Sequence, residues 1–292
     1  MIYQPTIVGR SFDEVYPQLI RLVWEHGEPS KPRNMPIREL LGVKFVIEDA
    51  NLGYCSNRHR KLNQAFGIVE RWEYVLGDSS PSRIGFYNKN FLNFLNEETG
   101  KFDGAYAPRL RRQYEYVLDL LKRDPDTRQA VLNVNAEIDQ RISKDVPCTI
   151  SLQLLLRGGK LNMIATMRSN DLLWGTPYDV SGFTFIQQCF ASWLGVPVGY
   201  YVHQAGSLHI YESTWDSLCP VAENAYESDG YTRRHWSLGF SDTMSSLAEA
   251  MQHEQAARLG HGPIPPGSFR KCLIDDLGVV VMTARRKRQS AT

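Results

Sequence analysis

Hydrophobic spacing divides the chain into two kinds of stretch. Behind Ser11 and Glu14, the residues Val15, Leu19, Leu22 and Val23 recur at helical intervals. This predicts a helix opening on a capping box. Residues 62–76 repeat that period and stop at Gly77, and residues 110–121 repeat it before the turn Asp124-Pro125-Asp126. A further, surface helix is predicted over residues 245–259. Strands are predicted over residues 40–47 and 129–134. Residues 149–156 alternate, which sets Ile150, Leu152 and Leu154 on one face. Gly158-Gly159 then turns the chain back through residues 161–167. Residues 169–178 read as a loop, 183–194 as a buried helix, and 197–203 and 208–211 as two more strands. The basic run Arg285-Arg286-Lys287-Arg288 reads as a solvated, mobile tail. Helices and strands that do not strictly alternate predict an α+β layered domain rather than a doubly wound sheet. With no repeat or linker, residues 1–292 are expected to form one domain.

Composition removes several function classes. A formal net charge of +1 gives no polyanion-binding field, so a nucleic-acid partner is not expected. No apolar run approaches the roughly 20 residues that cross a bilayer. Residues 1–5 lack the basic and apolar blocks of a signal peptide. Cys55, Cys148, Cys189, Cys219 and Cys272 are scattered without a CxxC pair, which argues against a disulfide framework or a zinc site. A reducing cytoplasm is the expected location.

The candidate chemistry begins at Cys148, directly after Pro147 at the head of a predicted strand. A nucleophilic thiol needs a cation beside it. Pairing across the Gly158-Gly159 turn sets positions summing to about 317 opposite one another. Residue 148 then faces roughly residue 169, with Arg168 adjacent, and a β-bulge would shift this by one. Arg168-Ser169 reads as an anion site, since the guanidinium fork suits phosphate. An inert core cysteine and a surface arginine in a turn are the bland alternatives. Asp179, following Pro177-Tyr178, reads by itself as a helix N-cap.

The combined pattern is more specific. Pro147-Cys148, a hairpin, Arg168-Ser169-Asn170-Asp171, Gly175-Thr176-Pro177-Tyr178-Asp179 and His209-Ile210-Tyr211 follow in order. This resembles the thymidylate synthase family and its pyrimidine hydroxymethylase relatives. Glu70, on a helix ending in Gly77-Asp78, resembles the family's glutamate helix. The run Asp124 to Arg128 resembles its phosphate-binding arginine segment. The resemblance is densest over residues 124–216 and extends from about residue 30. It implies a thymidylate synthase-like layered fold with a central mixed sheet flanked by helices. It implies that Cys148 adds to pyrimidine C6, so that C5 attacks the one-carbon unit of 5,10-methylenetetrahydrofolate. Arg168, Ser169 and Arg33 would hold the phosphate, and Arg128 would do so from the partner in a homodimer. His209 and Tyr211 would hold the sugar 3′-hydroxyl, and Asp171 would support the base and the sheet. Glu70 would order water and move protons, with Trp174 and Gly175 on the folate side. The expected ligands are therefore a pyrimidine nucleoside monophosphate and a folate.

Departures from the family pattern narrow the expectation. Asp179 stands where the family normally has asparagine. An amide meets uracil N3–H and O4, whereas a carboxylic acid meets cytosine N3 and N4–H and can protonate N3 as charge builds on the ring. Residues 91–95 contain no tryptophan to shield the one-carbon unit from water. Thr149 replaces a histidine, Gln129 replaces a second arginine, and the C-terminus lacks a small apolar ending. Together these predict a dCMP 5-hydroxymethyltransferase. A CMP-selective variant, a dCMP or dUMP methylase, and a non-catalytic nucleotide- or RNA-binding protein are the alternatives.

Overall fold

The computed structural model describes residues 6–139, 143–261 and 271–290, so the N-terminal residues 1–5 lie outside it. In chain order the elements are β1 (Thr6–Gly9), α1 (Phe12–His26), β2 (Glu28–Ser30), β3 (Ile37–Ile47), α2 (Gln64–Leu76) and α3 (Pro81–Tyr87). A small hairpin of β4 (Leu95–Asn96) and β5 (Lys101–Phe102) leads to α4 (Ala107–Arg111) and α5 (Tyr114–Arg123). Then come β6 (Val131–Asn133), β7 (Thr149–Arg157), β8 (Lys160–Met167), β9 (Asn170–Asp171), α6 (Thr176–Leu194) and β10 (Val198–Tyr211). The last helices are α7 (Trp215–Glu223), α8 (Phe240–Leu259) and α9 (Lys271–Gln289).

The eight strands of the main sheet run in the order β1-β3-β10-β8-β7-β6, with β2 beside β3 and β9 beside β10. β10 is antiparallel to β3 and parallel to β8, so the sheet is mixed. One face carries Val43, Phe45, Leu152, Leu154, Met163, Ala165, Tyr201 and His203, all buried, with α1 packed on β3 and β10 and α6 on β8 and β10. The period of two in each strand creates that face. This is the expected α+β arrangement of a mixed sheet flanked by helices.

Several sequence expectations move. α6 begins at Thr176, seven residues before the predicted start, with Pro177 in its first turn where no N–H is needed. The strands predicted over 197–203 and 208–211 are one continuous β10. Its two neighbours satisfy the backbone on both sides, which overrides the polar and small residues between. The helix predicted over 110–121 is broken into α4 and α5. Ile150 leaves the face of Leu152 and Leu154 because the β7–β8 register shifts between Thr149 and Ser151. The run Arg285 to Arg288 is not an unstructured tail. It continues α9, where Lys287 donates to the carbonyls of Phe86 and Tyr87 at 2.8 and 3.0 Å. The carbonyls at the end of α3 are unmet within their own helix and attract that cation.

Candidate active site

α2 and α6 cross closely because Gly182 has no side chain. A Cβ there would lie 2.6 Å from Tyr74 Cε2. The crossing brings Glu70, from α2, and Asp179, from α6, to one cavity of about 2020 Å³. Cys148, Arg168, Ser169 and Asp171 line the same cavity, as do His209, Tyr211, Arg33, Trp174 and Gly175. Arg128 does not. It is exposed on the loop before β6, and its carbonyl accepts from Gln153 Nε2 at 3.0 Å.

Cys148 immediately precedes β7. The bulge there moves its partner from the predicted Ser169 to Arg168, whose N–H donates to the Cys148 carbonyl at 2.9 Å. Arg168 Nη2 lies 3.6 Å from Cys148 Sγ. The guanidinium is held by two carbonyls of the preceding loop, Pro147 (from Nε, 3.0 Å) and Val146 (from Nη2, 2.8 Å). Burial pushes the Cys148 thiol up from its ordinary range and Arg168 pulls it back, while Asp179, Asp171 and Asp145 push it further up.

Asp179 is buried and is not an N-cap. Gly175 occupies that position, and Asp179 lies in the first turn of α6 with its side chain toward the cavity. Its Oδ2 accepts from Asn170 Nδ2 at 2.8 Å, while Asn170 Oδ1 accepts from the Thr176 hydroxyl at 2.7 Å. Burial, aided by the nearby charge of Asp171, pushes this carboxyl up to about 8 against the Asn170 hydrogen bond. Burial thus favours the neutral carboxylic acid at neutral pH. The Asn170 N–H at Oδ2 favours that oxygen as the acceptor and the proton on Oδ1. Glu70 is likewise pushed well above the carboxylate range by burial first, then by Asp179 and Glu73.

Tyr106, Tyr74 and Asn170 join the site without having been picked out from the sequence. The Tyr106 hydroxyl accepts from Thr149 N–H at 3.3 Å, and burial first, then Asp179 and Cys148, push it well above its ordinary range, so it shares the surroundings of both groups. Tyr74 hydrogen-bonds Glu70 one helical turn away, a spacing visible in the sequence. Asn170 was legible only as part of a motif, and its role depends on the return of α6.

At the other end of the cavity, β9 pairs with β10 so that Asp171 and His209 are register partners. Asp171 Oδ1 accepts from the N–H groups of Leu173 and Trp174 at 2.9 and 2.6 Å, which shapes the loop into α6. Burial pushes the His209 imidazole down and Asp171 opposes this. The His209 ring lies within reach of the Ser207 backbone, but its buried Nδ1 makes no well-aligned hydrogen bond and is an atom that a bound hydroxyl would satisfy. Tyr211 stands at 83° to His209 and 5.4 Å from the exposed Trp174 ring. Arg33 hydrogen-bonds Tyr211 from a turn at φ 51°. Gly175 keeps the loop tight, since a Cβ there would lie 3.0 Å from Asp171 Oδ2 and 3.2 Å from Asn170 Nδ2.

The sequence profile of the thymidylate synthase family matches residues 14–228. The chain belongs to the thymidylate synthase family. A deoxyuridylate hydroxymethyltransferase of Bacillus phage SP01 is 31% identical over 225 residues, covering 70% of this chain. The chain spans 58% of that relative's length. Thermostable thymidylate synthase A from Bacillus subtilis shares the fold, with a TM-score of 0.62 and 19% identity, over 75% of this chain and 86% of that one. Among the described residues no helix is long and apolar enough to cross a membrane.

Proposed function

We propose that this protein is a pyrimidine nucleotide 5-hydroxymethyltransferase, converting dCMP to 5-hydroxymethyl-dCMP with 5,10-methylenetetrahydrofolate and water. The observation that carries the reading is the buried Asp179 carboxyl, hydrogen-bonded by Asn170 and facing the same cavity as Cys148, where burial favours its neutral form. A ring that turns N3 to Oδ1–H and N4–H to Oδ2 is a cytosine. Cys148 adds to C6, and charge that builds on the ring is relieved by the Asp179 proton at N3. Glu70 and Tyr106 hold water and protons around the ring.

Arg168, Ser169 and Arg33 bind the phosphate in this reading, and His209 with Tyr211 takes the sugar hydroxyl. Arg128, exposed and outside the cavity, serves a second copy of the chain in a homodimer. The sheet face turned away from α1 and α6 suits that contact, since it carries Tyr200, Val202, Val46 and Ile164, none fully buried. Residues 1–292 act as one cytoplasmic catalytic unit. A drug-sized ligand takes roughly 300–1,000 Å³, so the cavity accommodates a nucleotide and a folate together. Phe91, Phe94 and Trp174 offer the apolar wall for the folate ring.

A second reading, hydroxymethylation of dUMP, is favoured by the name of the phage relative, a deoxyuridylate hydroxymethyltransferase. Tritium release from [5-³H]dCMP, CMP and dUMP with methylenetetrahydrofolate, followed by product mass, separates these. Release from dCMP with a hydroxymethyl mass gain is expected. Release from dUMP alone would defeat the base assignment, and a methyl mass gain would defeat the water step. Cys148→Ser is expected to abolish release.

A further inference from the structure

Glu73 follows Glu70 by three residues, so both project from one side of α2, and both line the cavity. Glu73 is buried, and the reaction as outlined does not use it. Its hydrogen bonds fall on one oxygen. Oε1 accepts from Arg83 Nη1 at 2.8 Å and from Ser80 N–H at 3.4 Å. Arg83 is divided among three carboxylates, for Nη1 also reaches Asp78 Oδ2 at 2.6 Å and Nε reaches Glu254 Oε2 at 3.3 Å. Glu254 is fully buried on α8, where it also accepts from Arg258 Nε at 2.7 Å and from the Tyr87 hydroxyl at 3.1 Å. Glu73, Asp78 and Glu254 thus share two arginines. α8 lies beyond residue 228, outside the stretch that matches the family profile.

Resting on the hydroxymethyltransferase reading, we propose that Glu73 is a catalytic carboxylate that accepts the proton of the water adding to the pyrimidine's exocyclic methylene, and that Glu254 tunes it by competing for Arg83. The step balances. A water lone pair forms the new C–O bond, the C5–methylene π pair moves into the ring, and one water proton passes to Glu73. The ring electrons then restore C5=C6 as the Cys148 thiolate leaves C6. No oxidant or reductant is required.

The surroundings suit this role. From α2 Glu73 faces Glu70, and from the segment after it Asp78. From α3 it faces Arg83, and beyond Arg83 lie Glu254 and Arg258 of α8. Two further cations, Arg111 of α4 and Arg71 of α2 itself, are committed elsewhere, Arg111 to Glu115 and Arg71 to Asp276 of α9. Burial outweighs Arg83 and pushes Glu73 up to about 8, toward the range that suits a proton acceptor near neutral pH.

The test measures hydroxymethyl product per tritium released from C5 of the nucleotide, across pH, in the full-length protein. The ratio cancels the thiol addition that precedes water capture. Glu73→Gln is expected to lower the ratio by about 100-fold or more, with the ring exchanging tritium but returning unmodified. In wild type the ratio rises with pH, and Glu254→Gln, which concentrates Arg83 on Glu73, is expected to move that rise about one unit toward lower pH. Glu73→Asp, which keeps the Arg83 pair, is expected to recover part of the ratio. An unchanged ratio in Glu73→Gln, or an unmoved rise in Glu254→Gln, overturns the inference. Absence of any tritium release in wild type would instead remove the underlying reading.

Discussion

Asp179→Asn isolates what the acid adds beyond shape. The Asn170 Nδ2–H that now meets Oδ2 at 2.8 Å would select the amide oxygen of the new side chain. The amide NH₂ then stands where Oδ1–H stood, so the static pattern of one acceptor and one donor survives. What disappears is a transferable proton, since an amide cannot protonate N3. Loss of a general acid costs roughly 10²- to 10⁴-fold in rate, whereas dCMP affinity should change by less than about 10-fold because no hydrogen bond is left unmade. For dUMP the amide must turn over, which sets its NH₂ against the Asn170 NH₂ at a cost of about 1–3 kcal/mol. The preference therefore shifts toward dUMP mainly because dCMP turnover falls. Single-turnover tritium release with each nucleotide, alongside calorimetric binding of dCMP, measures both parts. A variant that turns over dCMP within about threefold of wild type would refute the acid role, given the 10²-fold floor expected. Loss of binding in proportion to loss of rate would refute the claim that Asn170 preserves the pattern.

Other outcomes follow from the same geometry. The Asp179 carboxyl is pushed from 3.8 to about 8, so the folded state holds an extra proton between those values. Its stabilising contribution is complete below about pH 4 and is lost as pH rises through about 8. The difference of about four units corresponds to at most roughly 6 kcal/mol. Asp179→Asn should thus flatten this part of the fall in urea-unfolding stability between pH 5 and 9, and an unchanged slope would contradict the buried-acid assignment. Arg168→Ala removes the cation 3.6 Å from Cys148 Sγ. Alkylation of the thiol by iodoacetamide should slow at neutral pH and recover at higher pH, and equal rates at all pH values would show that Arg168 does not stabilise the thiolate. Gly182→Ala forces a Cβ to within 2.6 Å of Tyr74. A loss of about 1–3 kcal/mol of stability is expected in denaturant titration, and a neutral effect would mean that α2 and α6 separate freely.

Sequence order carried the site further than it carried the elements. The Cys148–Arg168 proximity was readable from hairpin arithmetic because antiparallel register is local. It missed by one residue only because of the bulge at Ile150, whose cause lies across the sheet, where Val134 and Asn135 donate to the Ile150 carbonyl. The start of α6 was misplaced because Thr176-Pro177 looks like loop punctuation, although proline is well suited to a first helical turn. Asn170 and Tyr106 were unreadable as functional groups. Each acts on a partner that tertiary packing alone brings near, Asp179 for one, and Cys148 with Asp179 for the other.

The grip of the 146–147 loop on Arg168 has a consequence for how a nucleotide would be accepted. Nε and Nη2 are already engaged by carbonyl oxygens and by sulfur, leaving Nη1 to greet an arriving anion. One positive charge would then serve two customers at once, and a doubly negative visitor withdraws support from the thiolate just as the ring comes within reach. In the proposed binding mode, auxiliary cations such as Arg33 would have a purpose beyond tightening the hold: they would absorb the newcomer's charge so that the sulfur keeps its own.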